Sequence, residues 1–175
     1  MIRRTVVLIC VAMASVVSPC LAADRYVRAF VGEAGTLRIL TSSGREIVPP
    51  KEPEQVSVDK IAISPDGRSV GWVALFPNCC TSYPIPLKLV VYSAGKARTF
   101  TGAGLPVWQW RFTAGGSQVI FEQETVHGGL GRHYEVRDIA SGRRIAQWEP
   151  TVGPDNQPLK NQKPPRWVSE FQEGT

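Results

Sequence analysis

Two adjacent cysteines and the only two histidines of the chain are the side chains best suited to chemistry. Cys79 and Cys80 lie next to each other, and His127 and His133 lie six residues apart in a glycine-rich stretch. Thiolate and imidazole groups together are ligands for zinc and copper. Adjacent cysteines lack the two-residue separation of common zinc motifs. A copper or zinc site built from these four residues is therefore one alternative for the chemistry of this chain.

A disulfide between Cys79 and Cys80 is the other interpretation of the cysteine pair. The α-carbons of neighbouring residues lie about 3.8 Å apart, which is shorter than the usual disulfide range. Such a bond is strained, and strain makes a disulfide easier to reduce. We expect it to stiffen the loop between Pro77 and Pro84, with thiol redox chemistry as the alternative.

One segment matches a hydrolase motif by letters alone. Residues 67–71 read Gly-Arg-Ser-Val-Gly, and residues 127–129 read His-Gly-Gly. A nucleophile elbow needs a strand that leads into a helix, whereas Ser69 opens a strand after a Pro-Asp-Gly turn. The His-Gly-Gly stretch also follows the serine, where the oxyanion loop of a hydrolase precedes it. The sequence therefore favours a protein that is not an enzyme.

The N-terminus has the layout of a secretory signal peptide. Arg3 and Arg4 give a positive start, residues 5–17 are apolar, and Ala22 and Ala23 are small. The apolar run is too short for a stable transmembrane helix. We expect cleavage after Ala22 or Ala23 and export to the periplasm, with release to the medium as an alternative.

Export changes how the remaining composition is interpreted. Cys20 admits a lipoprotein alternative, although it follows Pro19, where lipoprotein signals carry a small residue. The formal net charge is +5, and the signal peptide contributes two of those charges. The remaining positive residues are spread through turns, which argues against a nucleic-acid partner. No later segment is long and apolar enough to predict a transmembrane helix.

Short runs of β-branched and aromatic residues recur after the signal peptide. Gly, Pro, Asp and Ser interrupt them about every ten residues, which is typical of antiparallel sheets joined by tight turns. The predicted fold class is all-β. The eleven predicted strands cover residues 26–31, 36–40, 45–48, 58–63, 69–75, 87–92, 97–101, 108–112, 118–123, 134–138 and 144–148.

Two kinds of turn repeat with a period near fifty residues. The turn at residues 64–67 aligns with residues 113–116 at an offset of 49. A second turn recurs around Gly44, Gly95 and Gly142, at spacings of 51 and 47. Such a period corresponds to one four-stranded repeat, in which two hairpins are joined by a longer middle loop.

The Ser-Pro-Asp-Gly turn at residues 64–67, set between strands, resembles the blades of TolB-type and WD-repeat-like β-propellers. The resemblance covers about residues 57–149 and lacks the Trp-Asp and Gly-His pairs of true WD repeats. It implies an antiparallel β-meander of two to three propeller-like blades, fewer than a closed ring usually needs. A strand over residues 166–171 that pairs with the N-terminal strands would close the ring, and an open stack or a homo-oligomer are the alternatives.

The chain therefore divides into a signal peptide over residues 1–23, a propeller-like β-repeat domain over residues 24–149, and a proline-rich tail over residues 150–175 with the closing strand. In a meander, tight turns share one edge and the middle loops, residues 76–86 and 124–133, share the other. The resemblance implies a non-catalytic binding module with a protein or peptide partner. Its predicted binding residues are Cys79, Cys80, Tyr83, His127, Arg132 and His133.

Overall fold

The computed structural model describes five stretches of the chain. They are residues 24–78, 82–127, 131–154, 158–159 and 161–174. The predicted signal peptide and the Cys79–Cys80 pair lie outside the described residues.

Strands account for most of the described secondary structure, and the all-β prediction is confirmed. All eleven predicted strands are present, with ends within two residues of those expected from the sequence. The strands are β1 (Tyr26–Val31), β2 (Leu37–Thr41), β3 (Glu46–Ile47), β4 (Ser57–Ile63), β5 (Ser69–Phe76), β6 (Ile85–Ser93), β7 (Lys96–Phe100), β8 (Val107–Phe112), β9 (Gln118–Gln123), β10 (His133–Asp138) and β11 (Arg144–Trp148), with a 3₁₀ turn at Glu33–Gly35 and a helix, α1 (Arg166–Glu173).

The strands form three antiparallel sheets in chain order. Sheet A contains β1 to β3, sheet B contains β4 to β7 and sheet C contains β8 to β11. Within each sheet, consecutive strands pair with one another, so every sheet is a meander. Sheets B and C are the two four-stranded repeats that the fifty-residue period predicts.

Successive side chains of a strand point to opposite faces of its sheet, and this alternation shows which sheets pack against each other. In β6, Val90 and Tyr92 belong to the core between sheets A and B, whereas Leu89 and Val91 belong to the core between sheets B and C. Sheet B is therefore buried on both faces, which explains why its central strands β5 and β6 are mostly apolar. The sheets stack in the order A, B, C.

One glycine fixes how closely sheets B and C approach. A Cβ atom at Gly71 would lie 2.3 Å from Cη2 of Trp110, so the indole ring occupies the space that a side chain would need. The ring also donates a hydrogen bond from Nε1 to the carbonyl oxygen of Lys60, at 2.9 Å. The Trp110 ring of sheet C thus packs directly on the backbone of sheet B and hydrogen-bonds to it.

The closing strand predicted over residues 166–171 is wrong, because this segment is the helix α1. Val168 and Phe171 lie three residues apart and are both fully buried, which is a helical spacing. They pack on Ile120 and Tyr134, on the face of sheet C that points away from sheet B. The helix therefore covers the last sheet of the stack.

The connections separate into two edges, as the meander requires. The turn edge carries the short β4–β5, β6–β7, β8–β9 and β10–β11 turns, and the loop edge carries the longer β5–β6 and β9–β10 connections. The start of β1 also lies at the turn edge, where the amide of Tyr26 donates to the carbonyl oxygen of Gly67 at 2.7 Å. Among the described residues, no helix has the length and apolar character needed to span a bilayer.

Candidate functional site

Four of the six predicted binding residues of the loop edge, namely Tyr83, His127, Arg132 and His133, lie within the described residues. Tyr83 is half exposed and His127 is exposed. Arg132 lies 3.4 Å from carboxylate oxygens of both Glu122 and Glu124. The vicinal disulfide of Cys79 and Cys80 stays a prediction, because both residues lie outside the described part of the chain.

His133 is a buried strand residue rather than a surface loop residue. It is the first residue of β10, and only 4% of its surface is exposed. Its Nε2 lies 2.9 Å from Oε1 of Glu135, and its Nδ1 bonds to Glu149. Hydrogen bonding to Glu135, and then to Glu149, outweighs burial and raises the pKa of His133. The two carboxylates thus favour the protonated form of the ring.

Glu135 is the centre of this buried network. Its side chain is 1% exposed and accepts hydrogen bonds from Nε of Arg137 at 2.6 Å and from Nη1 of Arg144 at 3.4 Å. Burial alone would raise the pKa of Glu135, but hydrogen bonds from His133 and Arg137 lower it to about 2. Because every charged member has an opposite partner, the network ties β10 to β11.

This network bears on the predicted metal ligands. Both ring nitrogens of His133 are occupied by carboxylates, so a metal could bind the ring only by displacing one of them. Within the described residues, no group of three or more His, Cys, Asp or Glu side chains is arranged to hold a metal ion.

A cleft opens between sheets B and C at the turn edge. Deeper in the same interface, large side chains such as Leu89 and Phe121 fill the space between the sheets. At the turn edge the facing positions hold small side chains, among them Ser93, Ser117 and Ala140. Because these side chains are too short to meet, a cleft of about 690 Å³ remains. Its size is that of a small-molecule or peptide site.

The two acidic side chains at the cleft accept hydrogen bonds from residues of their own turns. Asp66 accepts from Oγ of Ser64 at 2.6 Å and from the amide of Arg68 at 3.0 Å. Asp138 accepts from the amide and the hydroxyl of Ser141 at 2.7 and 2.5 Å. These hydrogen bonds lower the pKa of both carboxyls. Both acids therefore shape turns and are weak proton acceptors.

The basic side chains at the cleft differ in their contacts. Arg98 reaches from β7 to the third sheet and donates from Nη2 to the carbonyl oxygen of Ala140 at 2.8 Å. Arg68 and Lys96 also line the cleft and are exposed. In the part of the chain that the structure describes, neither of their side chains makes a hydrogen bond or a close ion pair.

Sequence reasoning placed the binding site at the loop edge and missed this cleft. The sequence pattern that could have predicted the cleft is weak, because small residues at strand ends look like ordinary turn residues. The pattern becomes informative only when the small residues of both facing sheets are considered together. At the turn edge these residues are Ser69, Ser93 and Ser117.

No family model and no curated protein sequence matches this chain. Solved structures that resemble part of it include hydrazine synthase from Kuenenia stuttgartiensis (21% identity, TM-score 0.43, 73% of this chain and 34% of that chain). Others are an ancestral GH74 enzyme (11% identity, TM-score 0.43, 73% and 19%) and Hsv2 from Kluyvelomyces marxianus (12% identity, TM-score 0.32, 75% and 51%). The chain thus spans about a third, a fifth and a half of these three structures.

Proposed function

We propose that this protein is an exported, non-catalytic binding module that holds a peptide segment in the cleft between sheets B and C. The observation that carries this proposal is the cleft itself. It has a volume of about 690 Å³, an apolar part that includes Val91 and Ile139, and exposed cations at Arg68 and Lys96. An apolar surface with a few polar groups is the usual composition of a ligand site.

The chemistry of the cleft supports binding over catalysis. A general base needs a carboxylate that is free to accept a proton near neutral pH. Asp66 and Asp138 have lowered pKa values and accept hydrogen bonds within their own turns. The resemblance of the repeats to TolB-type and WD-repeat-like blades supports the same proposal, because blades of this kind present their edges to protein partners.

Export rests on residues 1–23 and is tested by mass. We expect the protein recovered from a periplasmic fraction to begin at Ala23 or Asp24. Intact mass spectrometry measures this directly, and a full-length chain retained in the cytoplasm would overturn the proposed export. The same spectrum tests the predicted Cys79–Cys80 disulfide, which makes the chain lighter by two hydrogens.

Binding is tested with random heptapeptides displayed on phage. Peptides selected on the mature protein are synthesised and titrated by calorimetry against three proteins: the wild type, Ser93→Trp and Ala114→Trp. Ser93 lines the cleft, whereas Ala114 is an exposed residue of a turn on the same edge that does not line it. We expect Ser93→Trp to weaken binding at least about tenfold, since the indole fills the cleft, and Ala114→Trp to bind as the wild type does.

The loop edge provides the opposing result. His127 is exposed there and belonged to the binding residues predicted from the sequence. If His127→Ala weakens the selected peptide and Ser93→Trp leaves it unchanged, the peptide binds at the loop edge and the cleft is not the site. Circular dichroism of each variant confirms that the sheets are intact.

A further inference from the structure

We infer that the cleft contains an oxyanion subsite, formed by Lys96 and Arg68 together with the hydroxyls of Ser69 and Ser93, which takes a carboxylate or phosphate group of the ligand. This inference deepens the proposed function and rests on it. It names the chemical group that the cleft recognises. It follows from the strand register, from the charged side chains that line the cleft and from the positions of the serine hydroxyls.

The strand register places three of these side chains in one row. Ser69 of β5 pairs with Ser93 of β6, and Ser93 pairs with Lys96 of β7. Neighbouring strands lie about 4.8 Å apart, so the row spans roughly 10 Å across sheet B. Residues directly opposite one another share a face of the sheet. That face looks toward sheet C, because Leu89 and Val91, which share the face of Ser93 along β6, belong to the core between sheets B and C.

The side chains that line the cleft carry three positive charges, on Arg68, Lys96 and Arg98, and two negative charges, on Asp66 and Asp138, which leaves a net positive charge. The acids Asp66 and Asp138 accept hydrogen bonds inside their own turns, and Arg98 donates to the carbonyl oxygen of Ala140. Neither Lys96 nor Arg68 makes a close ion pair among the described residues, although Arg68 also lies near Asp66 and helps to lower the pKa of that carboxyl. An oxyanion is the ligand group that satisfies two such cations, and arginine suits the planar geometry of carboxylate or phosphate.

The serine hydroxyls complete the donor set. The hydroxyl of Ser93 donates only a long bond of 3.4 Å to the carbonyl oxygen of Arg68. The hydroxyl of Ser69 makes no hydrogen bond within the described residues, although its amide donates to Oγ of Ser64 at 2.9 Å. A charged acceptor forms stronger hydrogen bonds than these groups make at present.

The test is a titration followed by amide chemical shifts. Inorganic phosphate and, in a separate arm, acetate are added to the mature protein at constant ionic strength, with chloride as the balancing anion. We expect saturable shifts at Ser69, Ser93 and Lys96. Saturation by either anion supports the subsite, and the anion that binds more tightly tells whether the natural group is phosphate or carboxylate.

Three variants make the test specific. In the double variant Lys96→Gln/Arg68→Gln, each lost charge weakens a charge-assisted contact, and we expect at least about a tenfold loss of affinity. Lys51→Gln is the matched control, because Lys51 is exposed and lies outside the cleft lining. Shifts that stay linear, that spread over the surface, or that persist in the double variant would overturn the subsite.

The selected heptapeptide separates this inference from the proposed function. If Ser93→Trp abolishes peptide binding while Lys96→Gln/Arg68→Gln leaves it unchanged, the cleft binds the peptide and only the oxyanion subsite is wrong. If Ser93→Trp also leaves peptide binding unchanged, the proposed function itself is wrong. Both substituted cations are exposed, so the double variant is expected to fold.

Discussion

Replacing Glu135 with glutamine should destabilise the protein in a manner that depends on pH. Glutamine keeps the shape of the side chain and removes its charge, leaving His133, Arg137 and Arg144 without their shared carboxylate. Removing one partner of a buried charged group is strongly destabilising, because the remaining charges stay desolvated. Arg144 is half exposed, so water compensates part of its loss.

The magnitude follows from the pKa of Glu135. Its carboxyl has an ordinary value of 4.5, and the folded protein lowers it to about 2. Each pKa unit corresponds to about 1.4 kcal/mol, so ionised Glu135 contributes about 3 kcal/mol to the free energy of unfolding at pH 7. A lowered pKa means that this contribution is present above pH 4.5 and is lost as the pH falls toward 2. At pH 3 roughly half of it remains.

The assay is urea unfolding followed by tryptophan fluorescence at pH 7 and pH 3. We expect Glu135→Gln to lower the free energy of unfolding by about 3 kcal/mol at pH 7 and by about half of that at pH 3. Glu173→Gln is the control, because Glu173 is exposed near the end of α1. A difference below about 0.5 kcal/mol at pH 7 would refute the stabilising network. An equal difference at both pH values would show that the cost is steric rather than electrostatic.

Other side chains give sharp expectations. The raised pKa of His133 means that its stabilising contribution is complete below pH 6.5 and is lost as the pH rises through the pKa of the folded protein. The wild type should therefore lose more stability between pH 6 and pH 9 than the His133→Gln variant does. The shift in Tm measures this loss. Gly71→Ala should cost about 1–3 kcal/mol by forcing Trp110 aside, whereas Gly115→Ala, which meets nothing within 4 Å, should be close to neutral in urea unfolding. Phe171→Ala should cost about 3–5 kcal/mol if α1 unfolds with the sheets, and amide hydrogen exchange should show smaller, local opening if the helix detaches alone.

The strands could be predicted from the sequence because their signals are local. The strand over residues 118–123 contains the run Val-Ile-Phe at 119–121 and follows the Gly-Gly turn at 115–116, so neither signal depends on distant residues. The helix α1 was missed for the same reason. Residues 166–171 contain two aromatic residues and a valine that suit a strand, and only contact with sheet C selects the spacing of Val168 and Phe171.

The candidate sites depend on contacts that the sequence does not show. Glu135 looked like an ordinary strand residue, since its partners come from β10 and from the neighbouring strand β11. The pattern of His133, Glu135 and Arg137 at alternate positions did place opposite charges on one face, and this signal could have found the network. The cleft could not be predicted from single strands, because it forms only where Ser93 of sheet B and Ser117 beside sheet C line the same space.

The two ends of the stack are finished differently, and this bears on ring closure. The outer face of sheet A carries Arg28 over the ring of Phe30 at 4.9 Å and an ion pair between Arg38 and Glu46, so it presents charged side chains to water. The outer face of sheet C is apolar and is covered by α1 instead. Stacked repeats need such finished ends, because an uncovered sheet face would remain apolar in water. A further sheet, from this chain or from a second copy, could pack on sheet C only after α1 had been displaced.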